Sequence, residues 1–202
     1  MARHMVFWIW KVWEFLFRFF AHVRPLRKDE SYLFYVAKRR YLGKPFSVDG
    51  ITVHRFDMVV ELHMNNALLV DTLRNQKSLV GVAVKLVQEA KRSLPVLAEN
   101  LSTSKYEQTE VLYGVTFIHR GVERFGFQSL PIQRSFLRGL ATWHLTHVFK
   151  IVNPNAEQIL RQHPNAFEPR MVAISKQHLL SNYGPGNQPT KPAVHHHNHA
   201  LT

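Results

Sequence analysis

The chain has 202 residues, a formal net charge of +12, 46% apolar residues and no cysteine. This length and apolar content fit one folded domain with appendages and exclude a generally disordered chain. The lack of cysteine excludes disulfides, thiolate metal sites and a cysteine nucleophile. The positive charge favours a polyanionic partner such as nucleic acid, anionic lipid or an acidic cell-wall polymer.

The N-terminal segment predicts an amphipathic helix. Residues 5–23 contain no glycine or proline, and Lys11, Glu14 and Arg18 recur at helical spacing among aromatic and aliphatic residues. Charges near the middle argue against a transmembrane span, and they interrupt the apolar region that a signal peptide needs. The tryptophans of this segment favour the lipid–water boundary. We therefore expect a helix lying on an anionic membrane, on its cytoplasmic face. A helix docked on the domain or on a partner is the main alternative, and a true span or signal anchor is the third.

The rest of the chain predicts one α+β domain, with a mixed α/β arrangement as the variant, in which helices cover a sheet. The domain spans residues 30–183, after an N-terminal helix and hinge at 1–29 and before a disordered tail at 184–202 that is rich in proline and histidine. The predicted elements, in order, are strands at 31–42 and 55–65, helices at 67–76 and 77–101, strands at 111–119 and 127–132, a helix at 135–152, a strand at 170–175 and a helix at 176–183. A charged hinge is expected at 25–30, and Pro45 and Asp49-Gly50 are expected to form turns between the first two strands. The helix at 77–101 has one apolar face, formed by Leu79, Ala83, Leu86, Ala90, Leu94, Leu97 and Leu101. Pro95 is expected to kink this helix or to start a new segment capped by Ser93.

The strand at 55–65 carries the clearest functional pattern, because apolar and polar residues alternate strictly along it. Period-two alternation places Glu61, His63 and Asn65 on one face. These side chains could supply an acid, a base and an orienting amide to a hydrolase or transferase. The alternative is a structural polar network, in which Asn65 or Asn66 caps the following helix.

A second candidate group lies at the end of the predicted central strand. His119, Arg120 and Arg124 follow this strand, and ligands of open α/β sheets gather at the carboxyl ends of strands. We expect an anion-binding group there, with a solvated strand end as the alternative. His144 and His147 are too few for a zinc site. No metal and no cofactor is predicted.

A short basic run raises the possibility of RNA binding. Lys38, Arg39 and Arg40 are consecutive and flanked by tyrosines, and basic clusters with aromatic residues bind RNA. No RNA-binding signature accompanies the run, and solvated charge is its ordinary interpretation. Nucleic acid is therefore an unlikely partner.

Three stretches together resemble the YkoP-like family of bacterial proteins: DGITVHRFDMVVELHMNN, LYGVTFIHRGVERFGFQSL and MVAISKQHLLSNY. The family pattern has a Gly-Asp strand ending in Glu-Leu-His-x-Asn, a Gly-Val-Thr strand leading to Leu-Gly-Phe, and a Ser-Lys or Ser-Arg before Leu-Leu. The matching positions here are Glu61, His63, Asn65, Gly114 and Thr116.

Two departures from the family pattern bear on the structure. Phe56 stands where the family has the glycine of Gly-Asp, which puts the turn before that strand in question. Phe125 replaces the leucine of Leu-Gly-Phe, a mild change. The resemblance covers residues 30–183.

The resemblance implies a cell-envelope role, since family members occur joined to polysaccharide deacetylases. The chain has no deacetylase motif outside its tail. We expect a membrane-peripheral accessory or ligand-binding module, without catalysis, whose partners are an anionic membrane and an envelope glycan or a polysaccharide-modifying enzyme. Asn65, Thr116, His119, Arg120 and Arg124 are its expected ligand-binding residues, and Glu61 with His63 would be catalytic only in an enzyme.

Overall fold

A computed structural model describes residues 23–65, 67–69, 79–116, 119–132, 146, 150, 156–162 and 168–186. Most of the predicted helices at 5–23, 67–76 and 135–152, and nearly all of the tail, lie outside these residues. The strands are β1 Arg24–Pro25, β2 Phe34–Arg40, β3 Phe46–Val48, β4 Ile51–Val53, β5 Met58–Met64, β6 Val111–Thr116, β7 Gln128–Leu130 and β8 Arg170–Ser175. The α-helices are α1 Leu79–Leu101, α2 Ala156–Gln162 and α3 Lys176–Tyr183, and 3₁₀ turns lie at Ser104–Tyr106 and Val122–Phe125.

Six strands form one mixed sheet in the order β1-β2-β5-β6-β8-β7. Only β5 and β6 pair in parallel among these strands; the other neighbours are antiparallel. Parallel neighbours need a crossover connection, and α1 lies between them in the chain. The predicted α+β class is therefore confirmed, with one β–α–β unit at the centre of the sheet.

The two faces of the sheet bury separate cores. On one face, Val60, Leu112 and Ile174 pack with Leu94, Leu97 and Leu101 of α1 and with Leu179 of α3. On the other face, the β3–β4 hairpin covers one end of the sheet, where Phe46 and Val48 contact Val59 and Ala173. Every apolar position of α1 named here was on its predicted inward face, since the 3.6-residue period places them on one stripe.

The β3–β4 hairpin is tied to the far end of the chain by one carboxylate, the Asp49 clamp. Oδ2 of Asp49 accepts a hydrogen bond from the Ser175 backbone N–H at 2.9 Å and lies 3.3 Å from Nδ1 of His178, while Oδ1 accepts from Gln128 at 2.9 Å. Burial by itself would raise the pKa of Asp49, but the interactions with Ser175 and His178 outweigh it and lower the pKa below its ordinary value.

Local structure before β5 differs from the prediction. The strand begins at Met58 rather than at residue 55, because residues 54–57 form a turn in which the Asp57 N–H donates to the carbonyl of His54. Phe56 lies in this turn with φ 78° and is 52% exposed. The family pattern has glycine at this position, the residue for which a positive φ is least costly. The turn forms here without that glycine.

Three further features of the structure differ from what was predicted, while a kink at Pro95 stays a prediction. Helix α1 runs without interruption through Pro95, and Ser93 does not cap a new segment; its fully buried hydroxyl accepts from the Leu33 N–H at 2.9 Å. The hinge predicted at 25–30 begins inside a strand, since Arg24 and Pro25 pair with β2. The β3–β4 hairpin was not predicted as a strand pair, although the Asp49-Gly50 turn was.

Candidate functional site

The candidate site is a pocket at the carboxyl ends of the two parallel strands. A cavity of about 190 Å³ opens there between the sheet, the N-terminal half of α1 and the turn at residues 120–127. Its apolar wall includes Leu62, Ala83, Leu86, Ala90, Val115 and Phe127. Carboxyl ends of parallel strands are the usual position for ligands in open sheets, because the chain diverges there and leaves a crevice.

Gly114 shapes the floor of this pocket. A methyl group on its Cα would lie 2.8 Å from the carbonyl oxygen of Leu62 and 3.3 Å from the Leu62 Cβ. These are backbone and core positions of the neighbouring strand, so they cannot move aside cheaply. The glycine of the Gly-Val-Thr motif is therefore required by the close approach of β5 and β6, and its missing side chain leaves part of the pocket open.

Two arginines stand at the pocket and are exposed to solvent. Arg120 and Arg124 both line the cavity. No hydrogen bond or ion pair to either guanidinium is found within the described part of the chain. An unpaired guanidinium presents several donors in a fixed plane that matches a carboxylate or a phosphate. The predicted anion-binding pair thus lies beside an apolar cavity, a combination that the sequence did not indicate.

His119 lies near these arginines without lining the cavity. Burial, and then the positive charges of Arg170 and Arg120, lower the pKa of His119. The ring is therefore neutral at pH 7, and its buried Nε2 has no hydrogen-bond partner among the described residues. Arg170, the first residue of β8, was missed by sequence reasoning because a single arginine at a strand start carries no pattern. An anion bound in this region would interact favourably with all of these groups.

Glu61 and His63 lie together on the face of the sheet opposite α1, as the alternation predicted. Oε2 of Glu61 is 2.8 Å from Nη1 of Arg39, which is an ion pair without hydrogen-bond geometry, and 3.7 Å from Nε2 of His63. Burial alone would raise the pKa of Glu61, but His63 and then Arg39 lower it below its ordinary value. Burial and the Glu61 charge raise the pKa of Tyr113 on the adjacent strand.

This arrangement restricts what the pair can do. Because its pKa is lowered, Glu61 is ionised at neutral pH and suits a general base rather than a general acid. Arg39 already balances the negative charge of Glu61. A purely structural polar network would need the same balancing charge. His63 borders the cavity from its strand, but its side chain lies with Glu61 on the opposite face of the sheet.

Asn65 is occupied by the fold. Its Nδ2 donates to the Ser31 hydroxyl at 2.9 Å and to the Tyr32 carbonyl at 3.0 Å, and its Oδ1 accepts from the Leu68 N–H at 3.2 Å. The residue is only 1% exposed. It is the N-cap of the helical residues that follow, one of the two roles that the sequence allowed. Because these hydrogen bonds engage both polar atoms of the side chain, none is left to bind a ligand, which was the other role predicted for Asn65.

Thr116 contributes to the pocket wall from the last position of β6. It is 7% exposed, and its hydroxyl lies 3.5 Å from the sulfur of Met64. Of the predicted ligand-binding residues, the structure therefore brings Thr116, Arg120 and Arg124 to one pocket, with His119 nearby and Asn65 outside it. Within the described ranges, no group of three acidic or histidine side chains could hold a metal ion.

The basic run on β2 is dispersed by the strand itself. Lys38 donates to the carbonyl of Lys105, Arg39 pairs with Glu61, and Arg40 donates to the carbonyl of Phe56. Successive residues of a strand point to opposite faces, so three consecutive cations cannot form one patch. No helix of the described residues is long and apolar enough to cross a membrane.

Comparison with known proteins identifies the family. The YkoP domain matches residues 3–183, which include all of the predicted N-terminal helix at 5–23. The chain is 27% identical over 177 residues to the "Uncharacterized protein YkoP" of Bacillus subtilis (strain 168), an alignment that covers 87% of this chain and 94% of that protein. No solved structure matches the chain significantly. The family match agrees with the motifs around Glu61, Gly114 and Ser175, and the chain belongs to the YkoP domain family.

Proposed function

We propose that this chain is a binding module, without catalytic activity of its own, that takes an anionic amphiphile into the pocket at the carboxyl ends of β5 and β6. The observation that supports this proposal is the combination of an apolar cavity with two arginines at its edge that have no partner among the described residues. A purely apolar ligand would not need the arginines, and a free sugar or phosphate would have no apolar part to occupy the apolar cavity.

The cavity suits the apolar part of such a ligand. Its volume of about 190 Å³ exceeds the ~150 Å³ of an engineered apolar cavity, in another protein, that stays dry and binds benzene. Each methylene group transferred from water into such a wall contributes about 0.8 kcal/mol. The dissociation constant should therefore fall about fourfold for each added methylene until the cavity is full.

The proposal places this module at the membrane surface, on its cytoplasmic face, in the metabolism of cell-envelope polysaccharide. The net charge of +12 favours an anionic membrane. The aromatic N-terminal segment and the association of family members with polysaccharide deacetylases support the same setting. An envelope glycan, or the enzyme that modifies it, would be the further partner.

Calorimetric titration with hexanoate, octanoate and decanoate tests the pocket. We expect affinity to rise with chain length, and a matching alkyl phosphate series separates a carboxylate headgroup from a phosphate headgroup. Equal affinity across the whole series would contradict an apolar binding site.

Two matched pairs of variants locate the binding. Ala83→Phe places a large side chain in the cavity wall, whereas Gln88→Phe adds one at an exposed position of the same helix, outside the wall. Only the first should abolish octanoate binding. Arg120→Gln with Arg124→Gln should weaken binding about tenfold, at roughly 0.7 kcal/mol for each exposed charge. Arg55→Gln, at the other end of β5, should leave affinity unchanged.

A hydrolase or transferase is the second candidate function, because His63 lies 3.7 Å from Glu61 and the pKa of that carboxyl is lowered. An ionised Glu61 could hold the imidazole as a general base toward an ester bound on that face of the sheet. Hydrolysis of p-nitrophenyl octanoate by the wild type, lost in His63→Ala and Glu61→Gln, would favour this function. Binding of octanoate without turnover of the ester favours the binding module.

A further inference from the structure

A stripe of apolar side chains on α1 is exposed beside the pocket. Val80 is 73% exposed and Val84 is 50% exposed. They lie at helical spacing with Ala83 and Val87, which line the cavity, so the four residues form one strip along the helix. Scattered exposed valines are ordinary on protein surfaces, but a strip that continues a ligand pocket marks an interaction surface.

The turn at residues 120–127 supplies the other side of the opening. Val122 and Phe125 line the cavity there and are partly buried. Apolar side chains therefore flank the pocket from both the helix and the turn.

Positive charge surrounds these apolar side chains. Arg120 and Arg124 border the cavity, and both are exposed to solvent. Glu123, between the two arginines, is the acidic side chain of this turn. Apolar side chains within a cationic rim are the pattern of proteins that bind at the surface of anionic membranes, where the apolar groups enter the acyl boundary and the cations contact headgroups.

We propose that the mouth of the pocket, formed by Val80, Val84, Arg120 and Arg124, docks on an anionic lipid bilayer, so that the ligand enters the cavity from the membrane. The inference deepens the proposed function and rests on it for the ligand that enters. Docking would place the cavity opening at the acyl boundary, and the amphiphile would then avoid exposing its tail to water.

A bilayer fits this surface better than a second copy of the chain. A symmetric dimer through the mouth would bring Arg120 and Arg124 of both copies together, and the chain already carries a net charge of +12. Like charges opposed across an interface are destabilising. An anionic bilayer instead offers acyl chains to the valines and phosphates to the arginines at the same time.

The fold supplies a control surface with similar chemistry. Leu42 is 62% exposed and Phe56 is 52% exposed, in turns where Arg40 and Arg55 are also exposed. These turns precede β5, whereas the pocket lies at its far end, about 20 Å away for seven extended residues. A general preference of basic, apolar surfaces for lipid would affect both places alike.

Sedimentation of the full chain with vesicles of phosphatidylglycerol and phosphatidylcholine tests the docking. Val80→Gln with Val84→Gln should bind these vesicles about tenfold more weakly than the wild type. The matched control, Leu42→Gln with Phe56→Gln, should bind like the wild type. Glutamine is at least as favourable as valine in a helix, so the substitutions should not unfold α1. Unfolding measured by circular dichroism checks the fold. If the glutamine pair unfolds the protein, Val80→Ala with Val84→Ala replaces it.

The outcomes separate docking from ligand binding. The proposal is supported if the Val80→Gln with Val84→Gln variant, the mouth variant, binds vesicles more weakly than the wild type but binds octanoate in solution as well as the wild type does. Equal vesicle binding by the mouth variant and the wild type, or an equal loss in the control pair, overturns the docking and leaves the proposed function standing. If the mouth variant loses vesicle binding but the wild type binds neither octanoate nor alkyl phosphate, the docking stands and the proposed ligand is refuted.

Discussion

Replacing Asn65 by alanine should destabilise the domain strongly, because three side-chain hydrogen bonds are lost in a residue that is 1% exposed. Loss of the N-cap bond to the Leu68 N–H costs about 1 kcal/mol. The bonds to Ser31 and Tyr32 each contribute roughly 1 kcal/mol, and their partners would remain without a donor. We expect a total loss of roughly 3 kcal/mol, which lowers the midpoint of thermal unfolding by about 6–12 °C for a domain of this size.

Urea and thermal unfolding followed by circular dichroism measure this loss. Asn65→Ser is the matched variant, since serine is also a good N-cap and should recover about 1 kcal/mol of the stability. Both variants should bind octanoate like the wild type. An Asn65→Ala variant that loses less than about 0.5 kcal/mol but no longer binds octanoate would refute the structural role and restore the ligand role.

Three further predictions concern stability. Gly114→Ala should lose about 1–3 kcal/mol because its Cβ would lie 2.8 Å from the Leu62 carbonyl oxygen, whereas Gly186→Ala, with no atom within 4 Å, should be neutral in the same urea unfolding. Glu61→Gln should lose about 1 kcal/mol at pH 7, since the pKa of Glu61 is lowered in the folded state; this difference should shrink as the pH falls below about 4. Asp49→Asn removes the charge of the Asp49 clamp, and its stability loss should disappear over the same acidic range in pH-dependent thermal melts.

The sign of both acid effects follows from the direction of the pKa shifts. A carboxyl whose pKa is lower in the folded state stabilises that state above its unfolded pKa, and protonation removes the contribution. Glu107→Gln, at an exposed position, is the matched control and should change little at any pH. A Glu61→Gln variant more stable than the wild type at pH 7 would indicate a ligand site that is held at a cost in stability.

Several elements could be predicted from the sequence because their signals are local. The strand Arg170–Ser175 and the helix Lys176–Tyr183 have the predicted bounds, and the Ser175 hydroxyl caps that helix by accepting from the His178 N–H. The buried stripe of α1 follows from its helical period. The Asp49-Gly50 turn follows from two residues that tolerate a positive φ. Each of these features is decided by neighbours within a few residues along the chain.

The candidate site was only partly predictable. Strand alternation placed Glu61 and His63 on one face, and the end of β6 indicated Arg120 and Arg124. Neither pattern shows that these arginines border an apolar cavity. That cavity depends on the crossover helix, on Gly114 and on the turn near residue 120, which only the packed chain brings together.

By itself, the sequence determined the family, the α+β class, the core stripe of α1 and the residue types available for chemistry. Only the tertiary structure decided that Asn65 is a cap, that the three cations of β2 are dispersed and individually bonded, and that Phe56 takes a positive φ. The physical reason is the distance along the chain over which each interaction acts. Periodicity and turn chemistry act between residues close in the chain, whereas a pocket, an ion pair such as Arg39–Glu61 and the burial of a polar side chain depend on segments that meet only when the sheet and helices pack.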